Sequence, residues 1–575
     1  VQPALSLSSS SLLRRWPLIL LAVLLPIFSV GMFARGIWTP DEPREIAISW
    51  RMAHQDDKSL PHLGDEAFCE KPPLLYWLSG ASMQTFGKSP AVARIPNLIF
   101  ALIAAFSLAL LARSMVLARS ASLDAANLAA LAAGVTYGTM ELTWQVSVWL
   151  ASDAPLLMGV AVALLGAWRG ANAAPGRAKL GWYTLMHLGM LAGFMSKNVV
   201  GWIVPGLALG AWLAWEWRWR EVLRWELWAG LPVQLAVIGW WSWSVWTGPD
   251  GHEHLRIFYV ENLVGRFFPQ YKGTKDYNSG HANWPGKYLF ELPAYVMPWL
   301  VLAAAAVRRA WSGCRVATAE RAGWRFAICV IVPTLLLLSA ASTGRGIYLA
   351  PLMGGFALLI GLWAAEQSEK GMPGRFDRFA LAFTALLLAG LAAILLPAAA
   401  VANAVAKLGI DSDVWIALGC CTVLGVMKLL VISTHLRRGN RPEVVRETLI
   451  TLVALWCLAM IAAPRLVDRW QDLAPVARMA AQHGPGLALY DPDETTIATV
   501  EYHTGIIAPV IAEGDDAKWL AKPGIHALRK MPGKDGAYRE IMDDMAKRGW
   551  QVSERIDIPF GRRYAIFVPR PPSTP

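Results

Sequence analysis

The sequence predicts a polytopic α-helical membrane protein with a small α/β domain at its C-terminal end. Three observations carry this. Of 575 residues, 55% are hydrophobic and 17% charged, too apolar for an ordinary soluble domain. Apolar runs of ~18 residues or more recur along most of the chain, as membrane-crossing helices require. After about Val467 the long apolar runs stop and charge rises.

The runs place spans at roughly 16–34, 92–117, 123–144, 153–170, 178–195, 198–217, 226–247, 286–307, 323–342, 346–365, 377–402, 414–434 and 446–465, about thirteen in all. The first follows Arg14-Arg15 like a signal peptide, but no small-residue cleavage site comes after it, so it is read as a retained helix. Basic residues test the direction. With the N-terminus cytoplasmic, every inner loop is basic, from Arg113 and Arg119 through Arg218, Arg220 and Arg224 to Arg437, Arg438 and Arg441. The net charge of +11 therefore belongs to cytoplasmic loops, and no nucleic-acid partner is expected. The 29 Trp suit membrane interfaces. The six Cys lie mostly in apolar spans and form no disulfide framework.

An odd number of spans puts the C-terminal end opposite the N-terminus, in the periplasm if the membrane is a bacterial inner membrane. The expected organisation is a transmembrane domain over 1–467, with amphipathic outer-face helices within 39–90, and a periplasmic α/β domain over 468–575. In that domain a helix over Leu473–Gln482 precedes an apolar run at Leu487–Tyr490. A helix near Thr495–His503, a short apolar run at Ile506–Ile511 and a helix over Tyr538–Arg548 follow. β-rich runs at Val552–Ile558 and Tyr564–Val568 close it. A monomer is expected.

The unusual polar residues gather on the face opposite the basic loops. They are Asp41, Glu42, Arg44, Glu70 and Lys71 in the first long loop, Asp153, then Lys197. His252, His254, Arg256, Glu261, Asn262, Arg266 and His281 follow in a second long loop, and Arg345 with Tyr348 in a turn beginning at Thr343. Ionisable groups beside membrane spans are functional candidates. Each also has a plainer reading. Thr39-Pro40-Asp41-Glu42 fits a capping box, with Thr39 as N-cap and Glu42 at the third helical position, so both carboxylates can simply start a helix. In that first turn the helix dipole favours an ionised Asp41, which suits a fixed carboxylate better than a base. Lys71 before Pro72-Pro73 is placed to grip a phosphate, with Lys197, Arg256 and Arg345 adding to the grip, or each can snorkel at the interface. Glu70 with His252 and His254 offers ligands for a divalent metal, Zn or Mg, or forms ordinary solvated loops; no cofactor is required. Asp153 can cap its helix, and Tyr348 can belong to an interfacial belt or to a substrate contact. The shared sidedness argues for a site more strongly than any one residue.

Several of these residues sit in motifs. An acidic pair follows the first span. Then come Glu70-Lys71-Pro72-Pro73-Leu74-Leu75-Tyr76-Trp77, Arg94-Ile95-Pro96, Ser152-Asp153-Ala154-Pro155, Ser196-Lys197, Glu261-Asn262 with Gly265-Arg266, and Arg345-Gly346-Ile347-Tyr348-Leu349-Ala350-Pro351. In this order they resemble the GT-C membrane glycosyltransferases of the protein mannosyltransferase type, and within them the bacterial branch that adds aminoarabinose to lipid A. The resemblance covers about 16–360 well and the remainder in layout only. Ala350 departs from the Leu common in relatives.

The resemblance implies transfer of 4-amino-4-deoxy-L-arabinose from an undecaprenyl phosphate-linked donor to a lipid A phosphate acceptor. It implies Asp41 as catalytic carboxylate, Asp153 as a second acidic position, and Lys71 and Arg256 on the donor phosphate. Glu42, Arg44, Tyr76 and Tyr348 are assigned to substrate contact. A polyprenyl phosphate leaving group calls for cations, and an anionic acceptor needs little deprotonation. Other readings stay open: another lipid-linked sugar or a protein Ser/Thr acceptor, or a lipid-linked sugar flippase. A flippase should carry its ionisable residues near the midplane rather than at one surface.

Overall fold

Local structure before residue 463 follows hydropathy. The computed structural model describes residues 12–266, 283–316, 320–341, 344–406 and 409–571. His281 and Thr343 lie outside the described residues.

In chain order the principal helices are α1 (Trp16–Phe33), α2 (Asp41–His54), α3 (Leu74–Phe86), α4 (Ile95–Leu117), α5 (Leu123–Thr139), α6 (Asp153–Asn172), α7 (Arg177–Lys197), α8 (Val200–Trp215) and α9 (Leu231–Trp246). They continue with α10 (Lys287–Tyr295), α11 (Leu300–Gly313), α12 (Glu320–Ala340), α13 (Met353–Lys370), α14 (Arg375–Ala406), α15 (Ser412–Arg437) and α16 (Arg441–Gln471). The last three are α17 (Ala474–Ala481), α18 (Glu494–Thr504) and α19 (Asp535–Lys547).

Every span expected from hydropathy is helical, but fewer qualify as crossings. Among the described residues eight helices are long and apolar enough to cross a membrane, and a ninth if α10 and α11, bent by 117°, count as one. The other expected spans differ from these in length or charge. Helices α5, α8 and α9 have 17, 16 and 16 residues, below the ~20 that span a bilayer upright. Helix α7 has 21 residues but carries Arg177, Lys179, His187 and Lys197.

Compactness divides the chain into two units. The first comprises 1–32, 69–74 and 96–462; the second comprises 33–68, 75–95 and 463–575. In the first unit one continuous apolar core runs from Trp16 to Leu455 and includes many alanines. Small residues let helix backbones approach, which is how apolar helices pack where no hydrophobic force drives them together. A Cβ at Gly159 would lie 2.5 Å from the Gly189 carbonyl oxygen, and one at Gly201 would lie 2.2 Å from the Gly193 carbonyl carbon. These contacts lock α6, α7 and α8 side by side. They bring the start of α6, with Asp153, to the end of α7, with Lys197.

The second unit is built on a five-stranded sheet. Its strands are β3 (Leu487–Tyr490), β4 (Val510–Ile511), β5 (His526–Met531), β6 (Trp550–Ile558) and β7 (Arg562–Pro569), numbered after a hairpin of β1 (His62–Leu63) and β2 (Glu66–Ala67). The order is β4-β3-β5-β7-β6, with β3 parallel to β4 and β5 and the other pairs antiparallel. Successive strand side chains alternate between faces. Leu487, Leu489, Leu528 and Ile566 enter one apolar cluster with Val476 and Val500. Ala488, Tyr490, Ala527 and Phe567 enter another with Met545 and Trp550. A strand buried on both faces reads as a continuous apolar run, which is why Leu487–Tyr490 stood out. Strand β5 did not, because Arg529 and Lys530 interrupt its apolar pattern. Arg529 is nevertheless buried, its guanidinium 4.6 Å from the Tyr490 ring centroid.

Candidate active site

The candidate residues divide between the two units. In the first unit Glu70, Lys71, Asp153, Lys197 and Tyr348 line one open cavity, together with Asn198 and Asn262. The rest of the wall is apolar, from Leu156, Ile203 and Val204 to Leu337 and Leu338. The cavity therefore has both charged groups and hydrocarbon in its lining.

Three local features build the charged part. Lys71 precedes Pro72-Pro73, and α3 starts at Leu74, so the lysine sits on a braced turn. Asn262 holds the same turn through a hydrogen bond from Nδ2 to the Cys69 carbonyl at 3.3 Å. Lys197 ends α7, where Asn198 turns the chain with φ +63°, unusual for a residue with a Cβ. The Asn198 side chain accepts from the Val199 amide at 2.7 Å and so steadies the turn into α8.

Lys197 Nζ donates to Asp153 Oδ1 at 2.5 Å and lies 5.2 Å from the Tyr348 ring centroid. The pair is partly enclosed, and removing one partner would leave the other charge poorly solvated. The Thr334 hydroxyl, also in the wall, is buried and has no hydrogen-bond partner among the described residues. Asn262, singled out in the second long loop, is therefore in the wall; sequence reading missed Thr334 and stopped one residue short of Asn198, which follows the Ser196-Lys197 motif.

Two cations expected on the donor phosphate are placed differently. Arg256 Nε and Nη2 bind Glu253 at 2.7 and 2.6 Å, Nη2 also binds Glu261 at 2.5 Å, and the arginine is not among the residues lining the cavity. Arg345 immediately precedes the turn Gly346–Leu352 that carries Tyr348, and it also lies outside the lining. The proposed metal ligands do not converge. Glu70 is in the cavity wall, His252 packs against Trp246 at 5.2 Å between ring centroids, and His254 lies on the same short helix. Among the described residues no group of three or more His, Cys, Asp or Glu side chains is arranged to hold a metal ion.

The second unit holds Asp41, Glu42, Arg44 and Tyr76. The expected capping box is absent. Helix α2 begins at Asp41 with Pro40 at the N-cap position and no side-chain cap, while Thr39 Oγ1 bonds Gln471 Oε1 at 2.5 Å. Glu42 turns inward instead. Arg35 holds it at 2.6 and 3.0 Å, Arg94 at 2.8 and 2.9 Å, and the Trp38 amide at 2.9 Å. Burial alone would raise this carboxyl, but the two guanidiniums outweigh it and hold it at about 2. With 1% of its side chain exposed, Glu42 is a structural anion and is not placed to meet substrate. The role of Arg94, quoted above only within a motif, is this clamp.

Asp41 stays 20% exposed. Its Oδ1 accepts from Arg44 Nη2 at 3.1 Å, and Arg44 also reaches Glu45 at 3.3 Å and Glu494 at 2.5 Å. The Arg44 guanidinium lies 5.2 Å from the Phe68 ring centroid, and Phe68 meets Tyr76 edge-on at 6.5 Å. Asp41 is thus a fixed, accessible carboxylate beside a cation.

Comparison with known proteins bears on this arrangement. Residues 70–243 match the family described as dolichyl-phosphate-mannose-protein mannosyltransferase. An undecaprenyl phosphate-alpha-4-amino-4-deoxy-L-arabinose arabinosyl transferase of Pseudomonas paraeruginosa is 28% identical over 390 residues, 67% of this chain and 65% of that protein. The Enterobacter sp. protein of the same name is 26% identical over 365 residues, 61% of this chain and 60% of that protein. The crystal structure of ArnT from Cupriavidus metallidurans bound to undecaprenyl phosphate superposes with a TM-score of 0.70 at 18% identity, covering 96% of this chain and 98% of that one. The chain has an ArnT-like GT-C fold. The aligned region spans less than two thirds of the length of these curated relatives, and the GT-C likeness extends over nearly the whole chain.

Proposed function

We propose that the protein transfers 4-amino-4-deoxy-L-arabinose from undecaprenyl phosphate to a phosphate of lipid A, at the periplasmic face of a bacterial inner membrane. The observation that carries this reading is the mixed lining of one cavity. Lys71 and Lys197 offer ammonium groups to a phosphate, while Leu156, Ile203, Val204, Leu337 and Leu338 offer hydrocarbon to a prenyl chain. The names of the related transferases supply the sugar and the carrier, and the resemblance supplies the acceptor.

The chemistry follows from charge. The bond from the sugar's anomeric carbon to the donor phosphate oxygen breaks, and the polyprenyl phosphate leaves with the electron pair. Lys71 stabilises the charge that develops there. The sugar becomes oxocarbenium-like, and an oxygen of the acceptor phosphate forms the new bond. That oxygen is already anionic, so no strong base is required. Asp41, held by Arg44, orients the acceptor or the sugar amine. Glu70 in the cavity wall complements the ammonium of an aminosugar.

The test is mass spectrometry of lipid A from cells with and without the gene. The reading expects one added aminoarabinose, lost in Asp41→Asn and Lys71→Ala at normal expression. An unmodified lipid A together with newly glycosylated protein would overturn the acceptor. Full transfer by Asp41→Asn would overturn the role of Asp41.

A further inference from the structure

The residues around Asp41 are held by side chains more than 400 positions away. Gly36 N donates to both oxygens of Asp468 at 3.1 Å, and Trp38 Nε1 donates to Asp468 at 2.6 Å. Thr39 is bound by Gln471. Beyond Asp41, the first turn of α18 provides two more contacts. Thr495 Oγ1 donates to the Pro40 carbonyl at 3.2 Å, and Glu494 Oε2 accepts from Arg44 Nη1 at 2.5 Å. Arg44 spends its other terminal nitrogen on Asp41. The residues just before and three after Asp41 are thus both gripped by adjacent residues of α18.

That turn is itself anchored. Asp493 caps α18 by accepting from the Thr496 amide at 2.8 Å, and its other oxygen binds Lys530 of β5 at 2.6 Å. Strand β5 is central in the sheet. A line of contacts therefore runs from the sheet through Asp493 and Glu494 to Arg44 and Asp41.

We infer that Glu494 and Thr495 are positioning residues for the transfer reaction: the C-terminal sheet domain sets the Asp41 carboxylate by holding Arg44 and Pro40. The inference rests on the proposed transferase reading and deepens it, because it gives the C-terminal domain a role in the chemistry. Glu494 touches no reacting atom; it acts by fixing which way Arg44 turns its fork. A misplacement of a reacting group by about 1 Å costs up to ~100-fold in rate. The Arg44–Glu494 pair is 36% exposed on the Glu494 side, so its share of folding stability is small.

The test uses the full-length chain in detergent or vesicles, with undecaprenyl phosphate-aminoarabinose and lipid A. Glu494→Gln should lower kcat roughly tenfold or more, leave the donor KM within about twofold, and leave the melting temperature unchanged. Thr495→Val, which removes only the bond to Pro40, should act in the same direction. Arg44→Gln combined with Glu494→Gln should be no slower than Arg44→Gln alone, because one residue acts through the other. Wild-type kcat in Glu494→Gln, a loss of kcat that merely tracks a lowered melting temperature, or rate losses that multiply in the double variant would each overturn the inference. If the wild-type chain transfers no sugar, the transferase reading itself fails, an outcome separate from all of these.

Discussion

Arg94 clamps Glu42 through two nitrogens, Nε at 2.8 Å and Nη2 at 2.9 Å, from 52 residues further along the chain. Arg35 holds the same carboxylate from the end of the first span. Three charges are buried together, and their mutual compensation fixes how the chain enters α2 just beside Asp41.

Breaking this cluster should destabilise the second unit. Glu42→Ala leaves two buried guanidiniums without their anion and should cost about 3–5 kcal/mol. Arg94→Lys keeps the charge but loses the planar fork, so it should also destabilise, by less. Thermal melting of the purified variants, followed by Trp fluorescence, checks both values.

The same cluster sets an acid limit. Glu42 has its carboxyl depressed to about 2 in the fold, against ~4.3 when unfolded. A depressed carboxyl contributes stability that is fully present above the unfolded value and is lost as pH falls through the folded one. The melting temperature should therefore drop steeply between about pH 4 and pH 2. In Glu42→Gln the stability should start lower and this acid step should shrink, which a pH series of melts reads directly.

Lys71 and Arg256 should separate, although their sequence settings suggested the same task. Lys71 lines the cavity, whereas Arg256 is committed to Glu253 and Glu261 and lies outside the lining. Lys71→Ala should raise the donor KM about 10- to 100-fold, the value of a hydrogen bond to a charged group. Arg256→Ala should change it severalfold at most. Initial rates against donor concentration distinguish the two.

Helix approach should matter as much as charge. Gly201→Val puts side-chain carbon where Gly193 backbone already sits. Overpacking of this kind costs about 1–3 kcal/mol. Because α7 and α8 flank Lys197, the variant should also raise donor KM even where it folds. Gly210→Val, on the same helix with open space around it, is the control and should keep wild-type stability and kinetics.

What was legible in the sequence was what one residue and its neighbours decide. Apolar length gave the helices, and Pro72-Pro73 marked the turn that carries Lys71. The shared sidedness of the polar residues grouped Lys71, Asp153, Lys197 and Tyr348 with several others, and these four line one cavity. Contacts distant along the chain were not legible. No periodicity announces that Arg94 will reach Glu42, or that Glu494 will reach Arg44. The capping box at Thr39–Glu42 was a valid local pattern overridden by a tertiary one, since two arginines outbid a single backbone amide for the Glu42 carboxylate. Strand β5 was hidden for a related reason: its Arg529 is buried over Tyr490, so polarity in the sequence did not mean exposure. The number of crossings is not set by hydropathy alone, because three of the expected spans fold as helices of 16 or 17 residues, shorter than the ~20 of an upright span.

The central claim is that the cavity around Lys71 serves transfer of a lipid-linked aminosugar. Its most direct test is reconstitution: the purified chain in vesicles, supplied with undecaprenyl phosphate-aminoarabinose and lipid A, with the lipid product read by mass spectrometry. The account predicts lipid A carrying one added aminoarabinose with the wild-type chain, and product from Lys71→Ala only at much higher donor concentration. No sugar on lipid A from an active, folded wild-type preparation, or wild-type donor dependence in Lys71→Ala, would contradict it.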